Sequence, residues 1–168
     1  QVLAVFDILP DFDLNLMKSG QDLTDITCGV LTGLKRVFKE WRPDIVLVHG
    51  DTTTTLGASL AAFYQGIRIA HVEAGLRTGN LSAPWPEEAN RKLTSVLTQW
   101  HFAPTASARE NLLKEGVPES TIHVTGNTVI DALLSICDRL SEDTNVNHEL
   151  AAQFPFLDAS RRLILVTG

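Results

Sequence analysis

The sequence is short of the residues that staple, clamp or anchor a chain. Two cysteines in 168 residues, Cys28 and Cys137, are too few and too far apart for a disulfide framework. Neither sits in a Cys/His cluster at metal-ligand spacing, so no metal is expected, and a reducing cytoplasm is the expected compartment. No apolar run approaches the roughly 18 residues that a membrane-crossing helix needs, and nothing at the N-terminus reads as a signal peptide. Basic residues are also in the minority: 14 Lys and Arg against 20 Asp and Glu give a formal net charge of -6. That balance argues against nucleic acid or an anionic membrane as the main partner. It leaves room for an anionic ligand held locally by helix N-termini and a few arginines. What remains is ordinary: 44% hydrophobic residues and a mean hydropathy of +0.06. The chain suits one globular domain or one and a part, long enough to bury a core without staples. It begins without Met and closes on the apolar run LILVTG, so a piece of a longer protein is expected.

Residues 1–9 are helix-like, Pro10 breaks the pattern, and DFDLNLMKSG reads as a loop. From Asp22 the apolar positions Leu23, Ile26, Val30, Leu31, Leu34, Val37, Phe38 and Trp41 follow the i, i+3, i+4 spacing of an amphipathic helix that Pro43 stops. DIVLVH (44–49) is a β-branched apolar run suited to a strand covered on both faces. The small-residue helix LGASLAAFYQ follows, then strand IRIAHV (67–72), helix EEANRKLTSVLTQ, strand WHFAP (100–104), a helix over 105–115, strand TIHVTG (121–126) and helix NTVIDALLSICDRL. SEDTNVN reads as a polar linker and RRLILVTG as a final strand. Strand and helix alternate about every 22 to 30 residues, the rhythm of right-handed βαβ units, which predicts a doubly wound parallel sheet.

Ligands of such sheets bind beyond the carboxyl ends of the strands. Asp51 and Glu73 both lie there, one or two residues past their strands, in IVLVHGDTTTT and IRIAHVEAGLRT. If those strands are neighbours, about 5 Å apart, the two carboxylates can share a pocket. SAPWPEEANR adds Glu87 and Glu88, with prolines fixing the entry of the chain and Trp85 as an apolar wall. Each residue also has a plainer reading. Asp51 can be a helix N-cap, Glu73 a salt-bridge partner of Arg77, and the two glutamates an acidic first helical turn. Arg91 can pair with Glu87 four residues earlier. The repeated layout His49-Gly50-Asp51 and His71-Val72-Glu73 puts each histidine on the side of its acid while the chain stays extended. His101 and His123 read as hydrogen-bonded core groups. Gly126-Asn127-Thr128 either meets a ligand or makes a capped turn.

Together, HGDTTTT, HVEAGLRT, SAPWPEEANR, HFAPT and GNTVIDAL resemble the non-hydrolysing bacterial UDP-N-acetylglucosamine 2-epimerases, along nearly the whole chain. The resemblance implies a Rossmann-like sheet forming the N-terminal half of a GT-B-type two-domain fold. Residues 1–126 would be the N-terminal domain lacking its first strand. Residues 127–168 would be a linking helix and the first strand of a nucleotide-binding domain that continues past Gly168. It implies interconversion of UDP-GlcNAc and UDP-ManNAc in the cytoplasm, for cell-surface polysaccharide, by a homodimer without cofactor. It places the catalytic acids on Asp51, Glu73 and Glu87, and substrate contacts on His49, Thr52, Arg77, Arg91 and Asn127. Departure of UDP from C1 makes the C2 proton removable, giving 2-acetamidoglucal, and re-addition after protonation from the other face inverts C2. A GT-B glycosyltransferase and a nucleotide-sugar-binding module are the alternatives, and the 168-residue piece alone is expected to be inactive.

Overall fold

The computed structural model describes residues 2–158 and 160–166. They divide into two compact units, Gln1–Gly126 and Asn127–Gly168. The first holds a four-stranded parallel sheet in the order β1 (Ile45–His49), β2 (Arg68–Val72), β3 (Trp100–Ala103), β4 (Ile122–Val124). The strands are linked by α3 (Thr53–Tyr64), α4 (Glu87–Leu97) and α5 (Ala106–Lys114). With the strands in chain order, right-handed crossovers place all three helices on one face. Accordingly α3 packs on β1 and β2, α4 on β2, and α5 on β3 and β4.

Before the sheet come the short α1 (Val2–Val5) and the long α2 (Leu23–Glu40). The expected helix over residues 1–9 shrinks to α1. A reciprocal capping box starts α2: the Asp25 N–H donates to Asp22 Oδ1 at 2.9 Å and the Asp22 N–H donates to Asp25 Oδ2 at 3.2 Å. The predicted apolar stripe does the packing, with Val30 and Phe38 buried and Leu31, Leu34 and Val37 against the same core as Val48, Ala61, Ala62, Ile67 and Ile69. Trp41 leaves the stripe at the C-cap and is 61% exposed. α2 lies against α3 because α3 is small there: a Cβ on Gly57 would sit 3.1 Å from Val30 Cγ1. A second core of Ala74, Ala103, Ala108, Leu112 and Ile122 joins β3, β4 and α5.

The second unit contains α6 (Thr128–Glu142) and α7 (Thr144–Ala152). The polar linker expected over 141–147 shrinks to Asp143, since a stretch without Gly or Pro carries nothing that stops a helix. The strand expected over 161–168 is not formed at 161–166, and 167–168 lie outside the described residues. A strand needs a neighbour to pair with, and among its described residues this unit offers none. Asn127 caps α6, its Oδ1 accepting from the Val129 N–H at 3.0 Å.

Candidate active site

Two left-handed residues end the strands that carry the site. Gly50 (φ +72°) turns the chain out of β1, and Glu73 (φ +68°) turns it out of β2. For a residue with a side chain that conformation costs about 1–2 kcal/mol, and here it brings the Glu73 carboxylate back toward the neighbouring strand. A Cβ on Gly50 would lie 3.5 Å from Glu73 Oε2, and His49 Nε2 lies 3.7 Å from the same oxygen.

The twin His–acid layout is therefore not what the structure builds. Register pairs His49 with Val72 and His71 with Val48, so the two histidines point to opposite faces. His49 is exposed and stands beside Glu73 rather than Asp51. His71 is fully buried under the helices, with Nε2 2.7 Å from the Gly50 carbonyl. Alternation relates a histidine to its own acid only in extended chain, and Gly50 and Glu73 both leave it. Burial first, with the nearby Arg77 and His49, holds the His71 imidazole below its ordinary pKa, against its bond to Gly50 and the charge of Asp51. Its register partner His101 is also buried, and burial, with His71 and Arg77, brings it down to about 4. His123 is not the core group expected: it is exposed and lies against Phe102, ring centroids 5.7 Å apart.

Asp51 is not the N-cap of α3. Thr52 is, its hydroxyl accepting from the Thr55 N–H at 3.3 Å, while the Thr55 hydroxyl donates to the His49 carbonyl at 2.6 Å. The Asp51 side chain turns instead to α4. Its Oδ2 accepts from Arg91 Nε at 2.9 Å and lies 2.7 Å from the terminal nitrogen Nη2. Its carbonyl accepts from Asn90 Nδ2 at 2.8 Å. The other arm of Arg91 donates to Glu88 Oε2 at 3.1 Å, so Arg91 pairs with Glu88 and not with Glu87. One helical step decides this: residue 88 faces inward, against the loop after β2, and is fully buried, while residue 87 is half-buried at the helix start. The Glu87 side chain has no hydrogen-bond or ion-pair partner among the described residues.

Glu88 ties this cluster to the loop after β2, accepting from the backbone N–H of Thr78 at 3.1 Å and of Gly79 at 3.0 Å. Burial pushes its carboxyl up, but those two bonds, Arg91 and the field of Arg77 outweigh burial and hold it below the usual range. Burial likewise disfavours the Arg91 cation, while Glu88 and Asp51 hold its pKa above normal. Arg77, expected on the substrate, is engaged elsewhere. Its guanidinium grips Glu115 at 2.9 and 2.7 Å, the Ser95 hydroxyl at 2.8 Å and the Leu76 carbonyl at 2.8 Å, at the far ends of α4 and α5. It does not pair with Glu73 either. Among the described residues no group of three His, Cys, Asp or Glu could hold a metal ion.

The rim past β1 and β2 thus carries Glu73 with His49, and Asp51 with Asn90 and Arg91 of α4, the helix whose first residue is Glu87. Behind it lie His71 and Glu88, which the sequence marked only as a partner of Glu73 and an acidic first turn, and Asn90, which it did not mark. EEANR shows two acids but not which one faces inward, because that depends on how α4 seats on the sheet.

A family model described as UDP-N-acetylglucosamine 2-epimerase matches residues 1–168. The chain is 60% identical over 168 residues to UDP-N-acetylglucosamine 2-epimerases of Salmonella typhimurium and Escherichia coli (strain K12), covering all of this chain and 45% of each relative. In three dimensions it matches the crystal structure of UDP-GlcNAc 2-epimerase from Neisseria meningitidis bound to UDP-GlcNAc. That match has a TM-score of 0.86 and 55% identity, over 95% of this chain and 43% of that one. The Methanocaldococcus jannaschii UDP-GlcNAc 2-epimerase, in complex with UDP-GlcNAc and UDP, matches at a TM-score of 0.81 and 36% identity, over 89% and 41%. The chain spans less than half the length of these relatives and shares their Rossmann-like parallel α/β fold. With the family model matching all 168 residues and 60% identity to curated relatives along the whole chain, it belongs to the UDP-N-acetylglucosamine 2-epimerase family.

Proposed function

We propose that this chain carries the sugar-facing wall of an enzyme that interconverts UDP-GlcNAc and UDP-ManNAc. The observation that supports it is the rim of acids at the carboxyl ends of β1 and β2 and the start of α4, reached by different routes from distant parts of the sequence. Solved relatives in complex with UDP-GlcNAc give the ligand class. In the reaction, the C1–O bond to the diphosphate breaks with its electron pair leaving on UDP. A carboxylate takes the C2 proton, and the freed pair closes the C1–C2 double bond of 2-acetamidoglucal. A proton delivered to the opposite face of C2, with UDP returning to C1, completes the inversion.

We assign the C2 proton to Asp51 and Glu87 and the sugar hydroxyls to Glu73. Arg91 binds only Oδ2 of Asp51, which leaves Oδ1 for substrate, and Glu87 has no protein partner among the described residues. His49 and Thr52 stand exposed at the same edge as further substrate contacts. Arg91 acts by presenting Asp51, Arg77 braces α4 and α5, and Asn127 remains assigned to substrate through the family resemblance alone. Homodimer formation and the supply of ManNAc for cell-surface polysaccharide rest on that resemblance too. A cytoplasmic location rests on the resemblance as well; among the described residues no helix is long and apolar enough to cross a membrane.

Full-length protein incubated with UDP-GlcNAc in heavy water should place deuterium at C2. Sugar transfer to an acceptor without exchange would identify a GT-B glycosyltransferase instead, and saturable binding without exchange a binding module. The 168-residue chain spans 45% of its relatives, so by itself it should show no turnover.

A further inference from the structure

The turn that presents Asp51 is held from below by a side chain outside the reacting set. His71 lies in the middle of the sheet with no exposed surface, and Nε2 is 2.7 Å from the Gly50 carbonyl. A carbonyl oxygen can only accept, so this nitrogen carries the proton and the ring is held in its Nε2–H tautomer. The peptide it grips joins the left-handed Gly50 to Asp51. The Gly50 N–H donates to the Val72 carbonyl at 3.0 Å, so the turn is pinned on both sides by β2. From above, Asn90 holds the Asp51 carbonyl at 2.8 Å and Arg91 its carboxylate at 2.9 Å. Two residues on from His71, Glu73 closes over the same glycine.

We infer that His71 is a positioning residue for the epimerisation proposed above: its Nε2–H orients the Gly50–Asp51 peptide and so fixes the Asp51 carboxylate against C2. The assignment rests on that functional reading. A neutral ring suits the task, because a cation here would bring a second positive charge beside Arg77 and the neighbouring His101. The charged and titratable groups acting on the ring are Arg77, His49 and Asp51, and His101 stands opposite it in the sheet.

Two measurements test it. In the 168-residue chain, nitrogen-15 spectra of the histidine rings should show His71 as the neutral Nε2–H tautomer at pH 7. An Nδ1–H tautomer or a charged ring overturns the inference without touching the proposed function. In full-length protein, His71→Gln keeps an amide donor near the Nε2 position, whereas His71→Leu keeps bulk and loses the donor. Misplacing a catalytic group by about 1 Å costs roughly 100-fold. The Leu variant should therefore lose roughly 100-fold in kcat with KM little changed, and the Gln variant should recover most of that loss. Equal losses in the two folded variants, or a loss carried by KM, make His71 a packing residue and overturn the inference. A folded Leu variant of undiminished kcat does the same. If wild-type protein shows no C2 exchange, the proposed function fails and the positioning role falls with it.

Discussion

Removing the Glu88 charge should cost the fold more than any other single carboxylate on this face. Its side chain has no exposure and accepts three bonds, from Thr78 N–H at 3.1 Å, Gly79 N–H at 3.0 Å and Arg91 at 3.1 Å. Breaking a buried ion pair on one side costs about 3–5 kcal/mol. Arg91 keeps Asp51 as a partner, and Thr78 and Gly79 lie near solvent, so Glu88→Ala should fall at the low end, about 3 kcal/mol. Glu88→Gln keeps the volume and one acceptor but turns an amide donor toward donors, which should cost about 2 kcal/mol.

The pH dependence separates charge from packing. The folded Glu88 carboxyl is held below its ordinary value of 4.5. Its contribution is therefore complete above about pH 4.5 and is lost as pH falls through the folded value. The gap between wild type and Glu88→Gln should stay constant from pH 7 to 5.5 and narrow below 4.5, by at most about 1.4 kcal/mol per pH unit for one proton. Urea unfolding of the 168-residue chain, followed by its three tryptophans, measures that gap while the other carboxyls cancel in the difference. A gap under about 0.5 kcal/mol at pH 7, the range of ordinary surface substitutions, refutes the reasoning. So does a gap of undiminished size at pH 3.5.

Three further outcomes follow from the same geometry. Gly75→Ala should destabilise the chain by about 3 kcal/mol or more, because a Cβ there would lie 2.3 Å from the Ala108 carbonyl oxygen at φ +89°; an unchanged urea midpoint would contradict it. Burial lowers His101 from 6.5 to about 4, so between those values the unfolded chain binds a proton that the folded one does not, and stability rises with pH. Over 2.5 units that is roughly 3 kcal/mol, a share that unfolding curves of His101→Gln should lose while the rise due to His71, also held below its ordinary pKa, remains. In full-length protein, Asp51→Asn should abolish hydrogen exchange at C2 of UDP-GlcNAc; exchange at the wild-type rate would remove Asp51 from the mechanism.

Much of this was legible in the chain itself. Apolar runs of five or six residues alternating with helical periodicity specify a parallel sheet, and an acid placed just past a strand specifies which edge it occupies. Asp51 and Glu73 could be placed at that edge for this reason, since strand ends are fixed by local pattern, whereas Glu87 opens a helix and was named from SAPWPEEANR and the family resemblance. Partners are not. The sequence pairs Arg91 with Glu87 and Arg77 with Glu73 by spacing, whereas the folded chain pairs Arg91 with Asp51 and Glu88, and Arg77 with Glu115. Spacing along a helix says which residues share a face, but not which face meets the sheet. Likewise His49 and His71 look equivalent until the register sets one beside Glu73 and buries the other beneath Gly50. Local pattern determined the elements and the rim; strand register and the seating of α4, which bring together residues up to 40 positions apart, decided which charges are neutralised and which are left for a substrate.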